Sequence, residues 1–439
     1  VPSCGLELLP IRFVLALFRN FFVAHRSYAV VVVGALVMIS CSSPARDTLT
    51  MSIPIKGGAP TMQWLPCGVI ECGTLSTSVD HTSSSSEQMT ISVYRRLASD
   101  QNAPVLLLLA DNAIGSSART ALEKSVLTFG VDIKKFTVVS MAIRGAIDAV
   151  LPTGSENFVG ALDTADDIEV LRVAFGVEKI LVIALGTSAT ATAAWVMKHP
   201  QSAQRVVLDT PEDPSVAMAE QDSARAIAMA DAVLTAMRWC ASHLSCPNNA
   251  KVALTVDLFK KKIKDNRFSE GINLDSLARV AETSLIHGRP IDLFQSISSV
   301  RAGNTTAYNA LAGPAPTVQT VQRECRNSTL ADSKAIAANH VQLPGRYFPL
   351  GNLKAIYEIC LTLPESTRPI GSVVPDPSAI GAHVMVTTAL QDPMWSAATV
   401  EALAKRMKWT YNPVKISRHL AIGHERAITA AAIDFLQEK

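Results

Sequence analysis

The chain lacks an excess of charge of either sign: among 439 residues Lys+Arg number 40 and Asp+Glu 38, a formal net charge of +2. No whole-chain field therefore draws in nucleic acid or an anionic surface. Aromatic residues are only 5% of the chain, too few for the stacking platforms that hold single-stranded nucleic acid. No nucleic-acid partner is expected. Metal-site spacing is missing as well: the eight cysteines, Cys4, Cys41, Cys67, Cys72, Cys240, Cys246, Cys325 and Cys360, form no CxxC and no Cys/His pattern. No metal and no cofactor is expected from them. Long hydrophobic runs are scarce, and the strongest, Ala29 to Ile39, falls short of the roughly 20 residues that cross a bilayer.

That run is the length of a signal-peptide h-region. Arg19, His25 and Arg26 precede it and Ser40-Cys41-Ser42-Ser43 follow it, the order of an export leader. Met38-Ile39-Ser40-Cys41 resembles the lipobox of bacterial lipoproteins, in which cleavage before the cysteine leaves its thiol to be acylated. An ordinary signal peptide or signal anchor is the other reading, and both take the chain out of the cytoplasm. We expect residues 1–41 to be leader and lipobox, with Cys41 lipidated and the protein held on the outer face of the cytoplasmic membrane. Removal of Cys4 and lipidation of Cys41 leave six cysteines, an even number in an oxidising compartment. Cys67 with Cys72 and Cys240 with Cys246 are close enough to pair locally, leaving Cys325 for Cys360.

At 48% hydrophobic and 18% charged, the chain can bury one large core with a cap, or two smaller ones. Residues 42–63 read as a polar tether. Met89 to Tyr94 alternates like a strand, and Pro104 to Ala110, Phe136 to Ser140, Lys179 to Ala184 and Arg205 to Asp209 are apolar runs of buried-strand length. Between them, Asp163 to Phe175 and Ala191 to His199 fit helices. Strands alternating with amphipathic helices imply a mostly parallel sheet covered on both faces. From about 211 to 364 the strand signal fades, and helical stretches such as Ser223 to Ser245 and Ile272 to Leu285 replace it. Strands return at His383 to Thr387 and Val414 to Ser417, with helices near Ala397 to Met407 and Ala427 to Gln437. The expected architecture is an α/β core in two parts, 64–210 and 365–439, interrupted by a helical cap at 211–364.

The order Gly176-Val-Glu-Lys179, strand, Gly186, helix, His199-Pro200, Arg205 to Asp209 and Asp213-Pro214 resembles the nucleophile region of the actinobacterial tripeptidyl-aminopeptidase-like α/β-hydrolases. Trp64 to Cys67 and Glu71 to Leu75 resemble that family's N-terminal cysteine segment. Trp239-Cys240 and Cys246-Pro247 resemble its cap motif, and Cys325 and Cys360 the pair flanking the end of its cap. The resemblance implies an α/β-hydrolase fold and supports the same three disulfides.

It also implies a damaged active site. Such enzymes carry a serine on a sharp strand-to-helix turn, G-x-S-x-G, where a histidine deprotonates it. The five residues in that place are Ala184-Leu185-Gly186-Thr187-Ser188, and ungapped counts from Lys179 and from Pro200 both put Gly186 at the serine position. Ser188 is the alternative nucleophile, but it falls two residues into the helix, about 200° around from the required direction, and reads better as a helix-starting serine. The family's glycine-rich oxyanion run corresponds to Leu109 to Ser117. Of its glycines only Gly115 survives, while Asp111 and Asn112 stand where backbone N–H groups should face developing negative charge. Arg144 and Gly145 survive from a second family segment. Asp392, in Gln391-Asp392-Pro393, corresponds to the triad acid. The base is His424, in Gly423-His424, or else His419; the family pattern favours His424.

These residues lead us to expect an exported pseudo-hydrolase that binds a peptide, a lipid or an envelope protein through the old pocket or the cap. An active serine hydrolase using Ser188 is the alternative.

Overall fold

The computed structural model describes residues 62–111, 115–146, 149, 151–268, 271–338 and 351–438. The expected leader, Cys41 and Asn112 lie outside the described residues. Among the described residues nine strands form one sheet: β1 (Trp64–Pro66), β2 (Glu71–Ser78), β3 (Gln88–Arg96), β4 (Val105–Leu109), β5 (Thr137–Met141), β6 (Ile180–Leu185), β7 (Ala203–Asp209), β8 (Val384–Ala389) and β9 (Thr410–Val414). Their order is β1-β2-β3-β5-β4-β6-β7-β8-β9. The first three are antiparallel to their neighbours, and β5 through β9 pair in parallel. This order, with helical crossovers, is the α/β-hydrolase fold.

The helices are α1 (Ala118–Phe129), α2 (Ala161–Ala174), α3 (Thr187–Lys198), α4 (Met218–Ser242), α5 (Val252–Lys264), α6 (Leu274–Ile286), α7 (Pro290–Arg301), α8 (Thr306–Ala312), α9 (Val318–Asn327), α10 (Leu330–Ala338), α11 (Gly351–Cys360), α12 (Ala397–Met407) and α13 (Arg426–Gln437). Alternation along β4 explains how the sheet is covered, because successive strand side chains face opposite ways. Leu107 and Leu109 pack with Leu171 of α2, Trp195 of α3 and Leu403 of α12. Leu106 and Leu108 pack with Leu122 of α1 and Ile433 of α13. Each of these buried leucines contributes about 2 kcal/mol, and burial on both faces is why such strands read as unbroken apolar runs.

Between β7 and β8 the described residues form helices α4 to α11, with a core of their own that includes Val233, Phe259, Leu277, Leu293 and Tyr308. Several boundaries differ from expectation, among them that of α4, which starts at Met218 rather than Ser223. The strand expected at Val414 to Ser417 is β9, four residues earlier, and it ends the sheet with Pro413 inside it; an edge strand tolerates a residue that cannot donate to a ladder. Helix α3 starts at Thr187 rather than Ala191, directly after Gly186. The cysteines pair as expected, with Cα separations of 5.8 Å for Cys67–Cys72, 5.3 Å for Cys240–Cys246 and 5.0 Å for Cys325–Cys360.

The pairing gives the sheet two distinct edges. The carboxyl ends of β4 to β9 share one of them. Because β3 runs against β5, with Arg96 opposite Val138, and β2 runs against β3, with Glu71 opposite Arg95, the β1–β2 turn and the end of β3 lie at the other.

Candidate functional site

The strands diverge in connection order at β4, which pairs with β5 on one side and β6 on the other. In open α/β sheets the crevice at the carboxyl ends beside such a switch point is where ligands bind. Leu109 of β4 lies opposite Ala184 of β6. Two residues further on, Asp111 therefore arrives beside Gly186.

Gly186 forms the tip of the turn from β6 into α3, with φ 54° and ψ −122°, a left-handed conformation that disfavours any side chain. Its N–H donates to the Asp209 carbonyl at 2.9 Å. The space above it is full: a Cβ on residue 186 would lie 2.6 and 2.7 Å from the two carboxylate oxygens of Asp111. Asp111 Oδ1 accepts the Thr187 N–H at 3.2 Å and the Thr187 hydroxyl at 3.1 Å. Thr187 N–H, the donor just after the tip, is the group that would face an oxyanion in a hydrolase of this fold. Here it faces a carboxylate of the chain itself.

The other oxygen, Asp111 Oδ2, accepts from His419 Nε2 at 2.8 Å, and His419 Nδ1 donates to Asp392 Oδ2 at 2.8 Å. Asp392 Oδ1 takes the N–H groups of Met394 and Trp395 at 2.8 and 3.2 Å, which fixes the acid on its turn after β8. All three side chains are buried. Burial alone would lower the pKa of His419, but the carboxylates of Asp392 and Asp111 on its two ring nitrogens outweigh it and raise the value to about 10. At neutral pH the ring is an imidazolium donating from both nitrogens. It has no lone pair with which to act as a base.

Asp209, which sequence reasoning missed, holds the histidine loop. At the end of β7 it accepts the N–H groups of Ala421 and Ile422 at 2.9 and 2.7 Å and the Thr210 hydroxyl at 3.0 Å. Burial pushes its carboxyl up to about 7, against the pull of those donors and of His419. Leu420 and Thr210, on either side of this contact, have positive φ of 63° and 60°, strain of the kind kept at functional sites. The only signal in the sequence was the acid ending Arg205 to Asp209.

The structure corrects the choice of histidine. His419, not His424, sits on Asp392, because the two bonds to Asp209 fold the loop so that residue 419 faces inward. His424 follows in a tight turn closed by its own N–H to the Ala421 carbonyl at 3.2 Å. Desolvation and the positive charges of Arg418, His419 and His287 hold His424 down at about 4. Ser188 is fully buried and donates to the Ala110 carbonyl, and no described hydrogen bond joins it to a histidine. Gly115 sits in a turn before α1 with φ 71° and open space around it. Arg144 is buried, its Nε and Nη2 on Asp167 at 2.7 and 2.8 Å. Among the described residues no group of His, Cys, Asp and Glu is arranged to hold a metal ion.

No protein-family model matches the chain, and no curated protein matches it. Among solved structures it is similar to esterase E22, at 12% identity over 84% of this chain and 100% of that one, with a TM-score of 0.46. It is also similar to an enol-lactonase from Burkholderia xenovorans LB400, at 13% identity over 79% and 97% with a TM-score of 0.36. A hydrolase from Pseudomonas aeruginosa PA01 matches at 12% identity over 87% and 100%, with a TM-score of 0.38. At such identities the fold assignment rests on the strand order and connections.

Proposed function

We propose that the chain is an exported, lipid-anchored protein on an α/β-hydrolase scaffold that binds its ligand without cleaving it. One juxtaposition carries this reading: the Asp111 carboxylate takes both the space and the donors that a nucleophile on residue 186 would use. Serine hydrolysis needs a hydroxyl on the tip, a free oxyanion donor and a neutral histidine. Each of the three is displaced by the same side chain or by its effect on His419. The relation to tripeptidyl-aminopeptidase-like enzymes is part of the proposal and is supported by the cysteine segments and the ungapped counts around Gly186. Anchoring through Cys41 is likewise proposed, on the h-region and lipobox pattern.

The ligand is a peptide, a lipid or an envelope protein. A cleft of about 540 Å³ between Ile227, Asp231 and Arg238 of α4 and Gln391, Asp392 and Trp395 beyond β8 supports a binding role, since its volume is in the range of ligand sites. Two measurements test the reading. A fluorophosphonate probe should leave the purified protein unlabelled, whereas labelling abolished by Ser188→Ala would restore the enzyme reading. Cys41→Ser should release the protein from membranes, and an unchanged membrane fraction and mass would remove the anchor.

A further inference from the structure

The sheet edge opposite the site is apolar where solvent should meet it. The Cys67–Cys72 disulfide closes the β1–β2 turn; Val69 in the turn is 82% exposed and Leu65 in β1 before it 64%. On the neighbouring helix, Leu127 in the last turn of α1 is 87% exposed, and Val131 just beyond Gly130 is 71% exposed. Leu97, at the end of β3, is half exposed. These belong to one surface. Glu71 pairs with Arg95, the next residue Arg96 donates to the Ser125 hydroxyl of α1 at 2.7 Å, and Cys67, Ile70, Leu122, Phe129 and Ile133 share one hydrophobic cluster beneath them. Exposed apolar residues scattered singly are ordinary, but a contiguous set marks a contact surface.

Lysines rim the patch. Lys124, Lys134 and Lys135 are exposed beside the exposed Glu123 and Asp132; Glu123 pairs with Arg119 at 2.9 Å and Asp132 with Lys135 at 2.7 Å, which leaves Lys124 and Lys134 as the unpaired charges among these described residues. Leucine and valine flanked by lysine suit the boundary between headgroups and acyl chains, with the apolar tips buried and the ammonium groups on lipid phosphates. The chain outside the structure points the same way. Residue 61 precedes Met62 and Gln63, and β1 then runs from Trp64 into the β1–β2 turn, so the segment leading from Cys41 enters through the edge strand that ends at this patch.

We infer that this edge, the β1–β2 turn together with the end of α1, rests on the surface of an anionic phospholipid bilayer. The Asp111–His419–Asp392 centre, at the other edge of the sheet, then faces away from the membrane. The inference rests on the exported, anchored reading for its geometry. The patch is nevertheless tested separately from the anchor.

The experiment uses the full lipidated chain in phosphatidylglycerol vesicles with and without brominated acyl chains, and carries Leu127→Trp or, as a control in the insertion, Leu244→Trp, which is 94% exposed. Emission above that of the unmodified chain should fall at least twofold on bromination for Leu127→Trp and stay unchanged for Leu244→Trp. A chain that sediments with vesicles but shows no such difference overturns the patch and leaves the anchor standing. A chain that does not sediment removes the anchor; the patch then stands if low salt and excess vesicles still quench Leu127→Trp alone, and falls if they do not. A concentration-dependent blue shift of Leu127→Trp without vesicles assigns the surface to a second copy and overturns the proposal.

Discussion

Two buried ionic clusters in this protein are built from similar parts and do different things. In one, Arg144 spreads its guanidinium over Asp167 and the carbonyls of Ser78, Val79 and Phe158, with His81 and Thr77 on the same carboxylate. In the other, His419 stands between Asp111 and Asp392. The first joins the β2–β3 connection to α2, and the positive φ next to one of its members belongs to a glycine, Gly145 at 73°. The second has Gly186 and two residues that are not glycine, Thr210 and Leu420, at positive φ around it. A side chain at positive φ costs energy where a glycine does not, so backbone strain surrounds the second cluster and not the first. Strained backbone thus surrounds the cluster at the β6–α3 turn, where the Asp111 carboxylate covers the tip and takes the Thr187 N–H.

The largest expected effect is on the fastening cluster. Arg144→Ala leaves Asp167 buried with the guanidinium gone, and breaking a buried pair from one side costs about 3 to 5 kcal/mol. Urea denaturation should show a loss of that size. A change near zero would mean that His81 and Thr77 alone satisfy Asp167, and the contrast between the clusters would weaken.

Gly186→Ser comes next. A side chain at positive φ costs roughly 1 to 2 kcal/mol, and the collision with Asp111 adds overpacking of about 1 to 3 kcal/mol. Asp111→Gly should relieve the second part only. The two substitutions together should therefore cost less than the sum of each alone, a coupling of contacting residues. Simple additivity by denaturant midpoint would place Asp111 away from the tip.

The second cluster also leaves a mark on the pH dependence of stability. His419 is raised in the fold to about 10 from the usual value of 6.5, so its contribution to stability is full below about 6.5 and is lost as pH climbs through about 10. Asp209, raised to about 7 from 3.8, favours the protonated fold, so its contribution declines earlier, between about 4 and 7. Between pH 7 and 10 the unmodified protein should therefore lose more stability than His419→Gln, by an amount on the order of a few kcal/mol. Parallel curves would show that the ring is not clamped by two carboxylates.

Much of the fold was legible because parallel strands buried on both faces announce themselves as apolar runs, and because the insertion lacks such runs. The centre was legible only in part. Counting placed Gly186 at the tip and Asp392 on its turn, since both lie beside well-marked strands. The choice between His419 and His424 depends on a loop folded by Asp209, a residue more than two hundred positions away. Position alone marked Asp111 as an anion near the oxyanion donor. That its carboxylate covers the tip follows from the pairing of β4 with β6, which no local pattern encodes.

The smallest expected effect is the most specific. Gly186→Ser alone should not be labelled by a fluorophosphonate, because Asp111 still holds Thr187 N–H and keeps His419 protonated. Asp111→Gly combined with Gly186→Ser removes both obstacles: the donor is freed, and His419 keeps only Asp392, so its pKa falls back toward the range in which a histidine accepts a proton. Slow labelling of the double variant above the single one is expected, and it should disappear on adding His419→Gln. It should stay far below the rate of an intact serine hydrolase, because the segment after β4 lacks the glycines that supply further oxyanion donors. Labelling of Gly186→Ser alone at the rate of the double variant would show that Asp111 does not block the centre, and the contrast between a filled centre and a fastening salt bridge would go with it.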